Sequence, residues 1–251
     1  NILLVRHVRP DGDALGSVRG LAQVLRQSFP EKHIYATGAD TSDYLAFMGA
    51  DDALPPEETC RRALCIALDV ATPDRASGEA MSLAAETVKI DHHVETVPFE
   101  GLSWVEEKRS STCEMVAELC LTFPDVLKLD ITSATALYIG IVTDSGRFRF
   151  SSTSPETLRI SAALLEYGID TETMYSNLYL EPFETLRARS AIVSKIRRTP
   201  HGVAYLHLTR AMQEKFHLSY EAAGNMVSAM NSIDGCPIWI AFIDTDDGTA
   251  G

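Results

Sequence analysis

Four short stretches of the sequence carry aspartate and histidine side chains of the kinds that bind divalent metal ions. Each stretch follows an apolar run that predicts a buried strand or helix, so these polar groups come at the ends of elements. The six candidate ligands are His7, Asp11, Asp13, Asp69, His92 and Asp144. Carboxylate oxygens and neutral imidazole nitrogens suit Mn²⁺, Mg²⁺ or Co²⁺ in near-octahedral sites.

The charges of these residues favour two metal ions over one. Four aspartates would repel one another strongly if they met without a counter-charge, and two divalent cations supply +4 against their −4. Pro10 and Gly12 predict a tight turn, which lets His7, Asp11 and Asp13 converge on one point. The sequence therefore predicts a dinuclear site.

Each stretch also has an ordinary structural explanation. An aspartate after a strand often begins a turn or caps a helix, and Asp13 stands directly before a predicted helix at residues 14–29. His7 alone would fit a packed, hydrogen-bonded side chain, and Asp69 could start a turn at residues 70–73. Because such explanations would have to hold at four element ends at once, we favour a shared metal site.

Strands and helices alternate in the first two thirds of the chain and would position these residues. Strands are predicted at Ile2–Val5, Ile34–Ala36, 63–68 and 88–90, and helices at 14–29, 44–48, 111–123, 131–142, 155–166 and 171–180. This alternation predicts an α/β fold with a mostly parallel sheet flanked by helices. In such folds, sites form beyond the carboxyl ends of the strands. Gly16 and Gly20 share one face of the first helix and predict close packing there.

A second, smaller α/β domain is predicted after a boundary at residues 181–185, where Glu181-Pro182 separates two helices. The first domain would cover residues 1–180 and the second residues 186–251. For this part of the chain the sequence predicts helices at 183–195, 211–216 and 221–232, a hairpin turn at 198–202, and strands at Val203–Leu208 and Ile238–Ile243. The turn-like string at residues 246–251 leads us to expect an incomplete second domain.

Composition restricts the classes of partner and the compartment. Acidic residues outnumber basic ones by 35 to 22 and the net charge is −13, which disfavours binding to long duplex DNA. No apolar run approaches the roughly 20 residues that a membrane helix needs. The five cysteines include no Cys-x-x-Cys pair, which argues against disulfides and thiolate zinc sites and fits a reducing cytoplasm. The sequence does not fix the oligomeric state and is compatible with a homodimer.

The order and spacing of the four stretches resemble those of the DHH phosphoesterase family. The resemblance rests on His7-x-x-x-Asp11-x-Asp13, the later Asp69, the string Asp91-His92-His93 and a final Asp144. It covers residues 1 to about 180, and the remainder is similar to the DHH-associated domain. The family includes single-strand exonucleases, family II pyrophosphatases, and enzymes that degrade oligoribonucleotides and 3′-phosphoadenosine 5′-phosphate.

The resemblance implies a role for each of these residues. It implies two divalent cations, with Mn²⁺ preferred and Mg²⁺ or Co²⁺ as alternatives. One cation would be bound by His7 and Asp11, and the other by Asp13, His92 and Asp144. Asp69 would bind both cations. His93 would face the substrate phosphate, and Asp91 would orient a neighbouring imidazole. The implied reaction is hydrolysis by a hydroxide held between the two cations.

Two further stretches are candidates for substrate contacts. Ser111 and Thr112 begin a predicted helix whose hydroxyl and N–H groups could bind phosphate, although a Ser111 cap completed by Glu114 is an equally good explanation. Arg147 and Arg149 alternate with phenylalanines and could grip phosphates beside a stacked base. The alternative there is an alternating strand with solvated arginines.

The resemblance implies hydrolysis of short oligoribonucleotides, including linear dinucleotides, or of 3′-phosphoadenosine 5′-phosphate. The compact, acidic chain and the stretch at residues 224–243 favour this branch of the family. One departure is that the branch carries a Gly-rich turn with a histidine that closes over the substrate, and no such turn is visible before Gly251. One alternative is a family II inorganic pyrophosphatase or short-chain polyphosphatase. Such an enzyme needs a cluster of basic residues to bind pyrophosphate, and the candidate cluster is at residues 195–198. The other alternative is a non-catalytic metal-binding regulatory protein.

Overall fold

A computed structural model describes residues 1–40, 42–231 and 233–245 of the chain. The chain divides into two compact units, the first from Asn1 to Leu178 and the second beginning at Tyr179. The string at residues 246–251, which the sequence predicts to be turn-like, lies outside the described residues.

A five-stranded parallel sheet forms the centre of the first unit. Its strands are β1 (Ile2–Val5), β2 (Ile34–Ala36), β3 (Leu64–Leu68), β4 (Glu86–Asp91) and β5 (Leu102–Val105). They lie in the order β2-β1-β3-β4-β5, and every neighbouring pair is parallel. The predicted α/β fold with a parallel sheet is therefore confirmed. The sequence does not predict β5, because its four partly exposed residues form no extended apolar run.

Helices pack on both faces of this sheet. They are α1 (Gly12–Ser28), α2 (Glu57–Cys60), α3 (Ala80–Leu83), α4 (Thr112–Thr122), α5 (Ile131–Asp144), α6 (Pro155–Leu165) and α7 (Thr171–Tyr179), with 3₁₀ helices at Asp43–Met48 and Pro73–Arg75. Successive residues of β1 point to opposite faces, so Leu4 packs with α1, α4 and α5 while Leu3 and Val5 pack with α2 and α3.

Glycines allow α1 to pack closely against α5. A Cβ atom added at Gly16 would lie 2.5 Å from the carbonyl oxygen of Ala136, and one at Gly20 would lie 2.7 Å from the side chain of Leu137. Both distances are too short for a real contact, so a larger residue at either position would displace α5. The close packing predicted from the glycine spacing is confirmed, and it fixes the distance between α1 and α5.

The second unit is a small α/β layer. It contains α8 (Phe183–Val193), β6 (Arg197–Arg198), β7 (Val203–Leu208), α9 (Arg210–Lys215), α10 (Tyr220–Asn225), a 3₁₀ helix at Met226–Met230 and β8 (Ile238–Ile243). The strand order is β6-β7-β8, with β6 antiparallel and β8 parallel to β7. The hairpin predicted at residues 198–202 is confirmed. The single helix predicted at 221–232 is wrong, because α10 gives way to a 3₁₀ helix; Ser232 lies outside the described residues.

The cysteines are packing residues. All five are buried and unpaired. Cys113 and Cys120 lie on α4 within the main core and contribute to its packing. Among the described residues, no helix combines the length and the apolar character that a membrane span requires.

Candidate metal centre

The predicted ligands meet at the carboxyl end of the parallel sheet. They stand at the ends of β1, β3 and β4, at the start of α1 and at the last residue of α5. Their ligand atoms form three groups, within each of which all atoms lie within 4.8 Å of one another: His7, Asp11 and Asp69; Asp13, His92 and Asp144; and Asp69, His92 and His93. The structure therefore brings all six predicted ligands together.

Asp69 stands at the centre of this cluster. Its backbone adopts a left-handed conformation, with φ of 59°, directly after β3. Aspartate tolerates this conformation better than most residues. The Oδ2 atom lies 3.4 Å from Nε2 of His7, and Oδ1 lies 3.6 Å from Nε2 of His92. The two oxygens of one buried carboxylate thus face two different imidazoles.

The first turn of α1 holds two aspartates in different ways. Asp11 caps the helix, since its Oδ1 accepts hydrogen bonds from the N–H groups of Asp13 and Ala14, both at 3.0 Å. Asp13 is fully buried, and its carboxylate accepts from the N–H groups of Thr112 at 2.7 Å and Cys113 at 2.8 Å. The alternative explanation of Asp13 as the helix cap is therefore wrong. The start of α4 holds its carboxylate in the site instead.

The three histidines of the site are oriented by acceptors at Nδ1. His7 presents this atom to the carbonyl oxygen of Val8 at 2.7 Å, His92 to that of Arg109 at 3.3 Å, and His93 to Oδ1 of Asp91 at 2.8 Å. A neutral ring that donates from Nδ1 keeps the lone pair of Nε2 for a cation. In His7 and His92 this Nε2 atom points into the carboxylate cluster. His93 differs, because it is 40% exposed.

The pKa values of the clustered side chains indicate that several of them hold protons, which bound cations would replace. Burial lowers the pKa of His7, but hydrogen bonds with Asp11 and Asp69 outweigh this effect and raise the pKa to about 10. Burial and the nearby charge of Asp69 hold the pKa of Asp13 well above its usual range. Burial also raises the pKa of Asp144 to about 6. Protons thus relieve the repulsion among these groups, and divalent cations could take their place.

Ser111 and Thr112 are fully buried and contact protein groups. Ser111 caps α4 by accepting a hydrogen bond from the N–H of Glu114 at 3.0 Å. The carboxylate of Glu114 turns to the N–H and hydroxyl of Ser110, so the capping box is incomplete. The hydroxyl of Thr112 lies 3.4 Å from Oδ1 of Asp69. This geometry supports a capping role for Ser111 and a contact of Thr112 with the carboxylate of Asp69.

Arg147 and Arg149 lie on a turn directly after α5, and both side chains are exposed. Gly146, Arg147 and Phe148 all have left-handed backbones, with φ of 57°, 62° and 61°. Phe148 packs against Tyr138, with a ring-centroid distance of 6.3 Å. The alternative of an alternating strand is therefore wrong, and the two arginines are carried on a compact turn.

Two cationic side chains beside the site, the buried Lys89 and the half-buried Arg109, were not predicted from the sequence. Lys89 lies 3.1 Å from Oδ2 of Asp91. Arg109, whose carbonyl oxygen contacts His92, forms an ion pair at 3.1 Å with Glu114. A lysine inside an apolar strand run, two positions before Asp91, is a signal that could have revealed Lys89. No pattern marks Arg109, because its role depends on a backbone carbonyl.

Comparisons with known proteins agree with this geometry. Residues 1–141 match the sequence model of the DHH family, N-terminal domain. The bifunctional oligoribonuclease and PAP phosphatase NrnA of Bacillus subtilis is 34% identical over 247 residues, which cover 98% of this chain and 78% of that protein.

Solved structures show the same fold. An exopolyphosphatase-related protein from Bacteroides fragilis has a TM-score of 0.88 at 25% identity, covering all of this chain and 77% of that one. A putative family II inorganic pyrophosphatase from Methanococcus jannaschii has a TM-score of 0.55 at 17% identity over 97% of this chain and 82% of that one, a likeness of fold alone. Since the family model spans more than half of the sequence and the Bacillus relative aligns with nearly all of it, the chain belongs to the DHH family.

Proposed function

We propose that this chain is a metal-dependent phosphoesterase that hydrolyses short oligoribonucleotides, including linear dinucleotides, and 3′-phosphoadenosine 5′-phosphate. The observation that carries the proposal is the position of Asp69, whose two oxygens lie 3.4 and 3.6 Å from the Nε2 atoms of His7 and His92. A carboxylate between two ligand groups suits a bridge between two cations. The name of the Bacillus relative supports the substrate class.

The donor set fits two divalent cations, and we propose Mn²⁺ by preference, with Mg²⁺ or Co²⁺ as alternatives. One ion would be held by His7 and Asp11, the other by Asp13, His92 and Asp144, with Asp69 shared. When bound, the two ions would lower the pKa of a coordinated water and neutralise charge on the phosphate. The nearly balanced charges of four aspartates and two divalent ions support a dinuclear site.

We propose His93 as the catalytic side chain that contacts the phosphate and Asp91 as the residue that orients it. Hydrogen bonds with Asp69 and Asp91 raise the pKa of His93 to about 10, which favours the protonated form of its ring. A protonated ring can donate from Nε2 to a phosphate oxygen and can protonate the leaving oxygen. Asp91 accepts from Nδ1 of His93 and thereby fixes which nitrogen faces the substrate.

We propose that Arg147 and Arg149 contact the next phosphate of an oligonucleotide. They follow directly on Asp144, a residue of the ligand cluster, and their side chains are exposed. An acidic chain with only a few such arginines suits short single strands better than long duplex DNA. Five unpaired, buried cysteines are compatible with action in a reducing compartment such as the cytoplasm.

The two alternative functions are less well supported. A pyrophosphatase would need a cationic clamp, and the basic cluster at residues 195–198 lies on and beside the two-residue strand β6, where its side chains are mostly exposed. The likeness to the Methanococcus protein concerns the fold alone. A non-catalytic regulatory protein would be free to lose ligands, whereas all six predicted ligands are present and meet in space.

The test is a panel of four substrates with the purified chain in Mn²⁺: a dinucleotide, 3′-phosphoadenosine 5′-phosphate, pyrophosphate and a 20-nucleotide RNA. We expect hydrolysis of the first two to exceed that of the other two, and expect a chelator to stop it. Preferential release of phosphate from pyrophosphate would establish the first alternative. Metal binding without hydrolysis of any of the four would establish the second.

A further inference from the structure

Strand β4 buries a lysine beside the Asp91-His92-His93 string. Lys89 is 1% exposed, and Asp91, two positions further along the strand, is fully buried on the same side of the sheet. A lysine is almost never buried unless its charge is paired, because the ammonium group loses its hydration. The position therefore requires a specific partner.

The contacts of Lys89 identify that partner. Its Nζ atom lies 3.1 Å from Oδ2 of Asp91 and donates a hydrogen bond to the carbonyl oxygen of Ala71 at 3.2 Å. It also lies 5.9 Å from the ring centroid of Phe99, within the range of a cation–π contact. A carboxylate, a carbonyl and a ring face thus surround the ammonium group, and its strongest partner is Asp91.

Asp91 uses its other oxygen to hold His93. Oδ1 accepts hydrogen bonds from the backbone N–H of His93 at 3.1 Å and from Nδ1 of its ring at 2.8 Å. Within the described part of the chain Oδ2 makes no hydrogen bond, so its contact with the ammonium group of Lys89 is an ion pair alone. A buried carboxylate that accepts hydrogen bonds on one oxygen and faces a cation with the other has restricted freedom to rotate, so it can fix the plane of the attached imidazole.

We propose that Lys89 is a positioning residue for the reaction, which holds Asp91 so that His93 presents Nε2 to the substrate phosphate. This inference rests on the proposed function of His93. Without the ammonium group, Oδ2 of Asp91 loses its ion pair, and the carboxylate is free to rotate. The ring of His93 then keeps only its 3.3 Å contact with Oδ1 of Asp69 at Nδ1 and loses its fixed orientation. The six metal ligands keep their own contacts, so turnover falls while metal binding persists.

A double-mutant cycle tests this inference on a dinucleotide substrate. We expect Lys89→Met to lower kcat by roughly 10–100-fold, as the loss of an outer hydrogen-bond partner does, with little change in KM. In a His93→Ala background the same substitution should cause no further loss, because Lys89 acts through that ring. Lys89→Arg keeps the charge and should retain more of kcat than Lys89→Met. Leu164→Ala, a substitution in the core on α6, controls for general loss of stability.

The outcomes separate a positioning role from a purely structural one. Equal losses of kcat in both backgrounds, or a loss of bound Mn²⁺ in calorimetry, would overturn the inference, because a structural ion pair acts independently of His93. Should Lys89→Met fail to fold, Lys89→Gln replaces it in the same cycle, because the neutral amide removes the ammonium charge that pairs with Asp91.

A crystal structure of the Lys89→Met variant tests the inference without reference to activity. We expect the contact between Oδ1 of Asp91 and Nδ1 of His93 to lengthen beyond hydrogen-bonding distance, and its retention at 2.8 Å would overturn the inference. If the wild-type chain hydrolyses none of the four substrates, the proposed function fails. This structure still decides whether Lys89 positions the ring.

Discussion

The two units of the chain bury different kinds of side chain. The interior of the first unit holds charged groups, among them Arg6, Asp13, Lys89 and Glu114. Among the described residues of the second unit, Gln213 alone is a buried polar side chain. Buried charges lose hydration and stabilise a fold only when they are paired. The difference indicates that the first unit gives up stability to build a reactive site, while the second unit packs as an ordinary core.

The largest expected effect is that of Asp69→Asn. We expect it to abolish measurable hydrolysis of a dinucleotide, because the amide cannot bridge two cations with negatively charged oxygens. Metal content measured by mass spectrometry should fall together with activity. Gln213→Leu, the corresponding change of a buried polar residue in the second unit, should leave metal content unchanged. Full metal content in Asp69→Asn would place the bridging ligand elsewhere.

Substitutions of the two adjacent histidines should impair different steps, turnover in one case and metal binding in the other. We expect His93→Ala to reduce turnover by roughly 10²–10⁴-fold while Mn²⁺ remains bound, because this ring is proposed to act on the phosphate. His92→Ala should instead weaken metal binding, since its Nε2 lies 3.3 Å from Asp144 in the ligand cluster. Calorimetric titration with Mn²⁺ distinguishes them. Equal loss of metal in both variants would show that the two roles are wrongly assigned.

Metal affinity should rise with pH. The pKa of His7 is raised to about 10, so at neutral pH the ring carries a proton that must leave before Nε2 can bind a cation. Each proton released contributes about a tenfold gain in affinity per pH unit, up to the raised pKa. Calorimetry in buffers of different ionisation enthalpy counts these protons between pH 7 and 9. An affinity that is constant over this range would contradict the proton-sharing cluster.

The length of the RNA substrate should affect kcat/KM, because the negative net charge of the chain repels a polyanion. With a net charge of −13, we expect kcat/KM to fall steeply beyond a few nucleotides. Only Arg147 and Arg149 are proposed to hold phosphates outside the ligand cluster. Added salt should reduce the difference in kcat/KM between short and long RNA, because it screens the repulsion; the Debye length is about 8 Å at physiological ionic strength. Hydrolysis of RNA from two to twenty nucleotides at two salt concentrations measures this, and rising efficiency with length would favour a long-strand exonuclease.

The smallest effect concerns the second unit. The amide of Gln213 donates to the carbonyl oxygens of Leu208 at 3.1 Å and Asp244 at 2.9 Å. Gln213→Leu leaves these acceptors without that donor and should lower the free energy of unfolding by about 1–3 kcal/mol. Urea denaturation of the chain, followed by a probe in the second unit, measures this loss. A parallel loss of Mn²⁺ affinity would show that the two units are not independent.

The sequence was sufficient to predict that the six proposed ligands meet in space, because the four stretches that carry them follow apolar runs. It could not show that Asp13 would be held by N–H groups of Thr112 and Cys113, since those residues are about a hundred positions away along the chain. The pairing of Lys89 with Asp91 needs the strand register as well as the residue types. The hydrophobic pattern of the sequence also does not predict strand β5, because its four residues are stabilised by pairing with β4.

The sequence left two interpretations open for the turn after α5, and the reason is a different one. Alternating basic and aromatic residues are typical of a strand, but three successive left-handed residues from Gly146 to Phe148 curl the chain instead. Side-chain alternation carries little information about such backbone conformations. The placement of Arg147 and Arg149 therefore had to come from the structure.

The close contact between α1 and α5 sets the spacing between two proposed metal ligands. Gly16 sets how near the two helices lie, and these helices carry Asp13 and Asp144, two members of one ligand group. Ligand distances differ by only about 0.3–0.5 Å between Mg²⁺ and Ca²⁺, which is less than the displacement that a methyl group at Gly16 would force. In the proposed site, the spacing of two ligands thus depends partly on a residue that has no side chain.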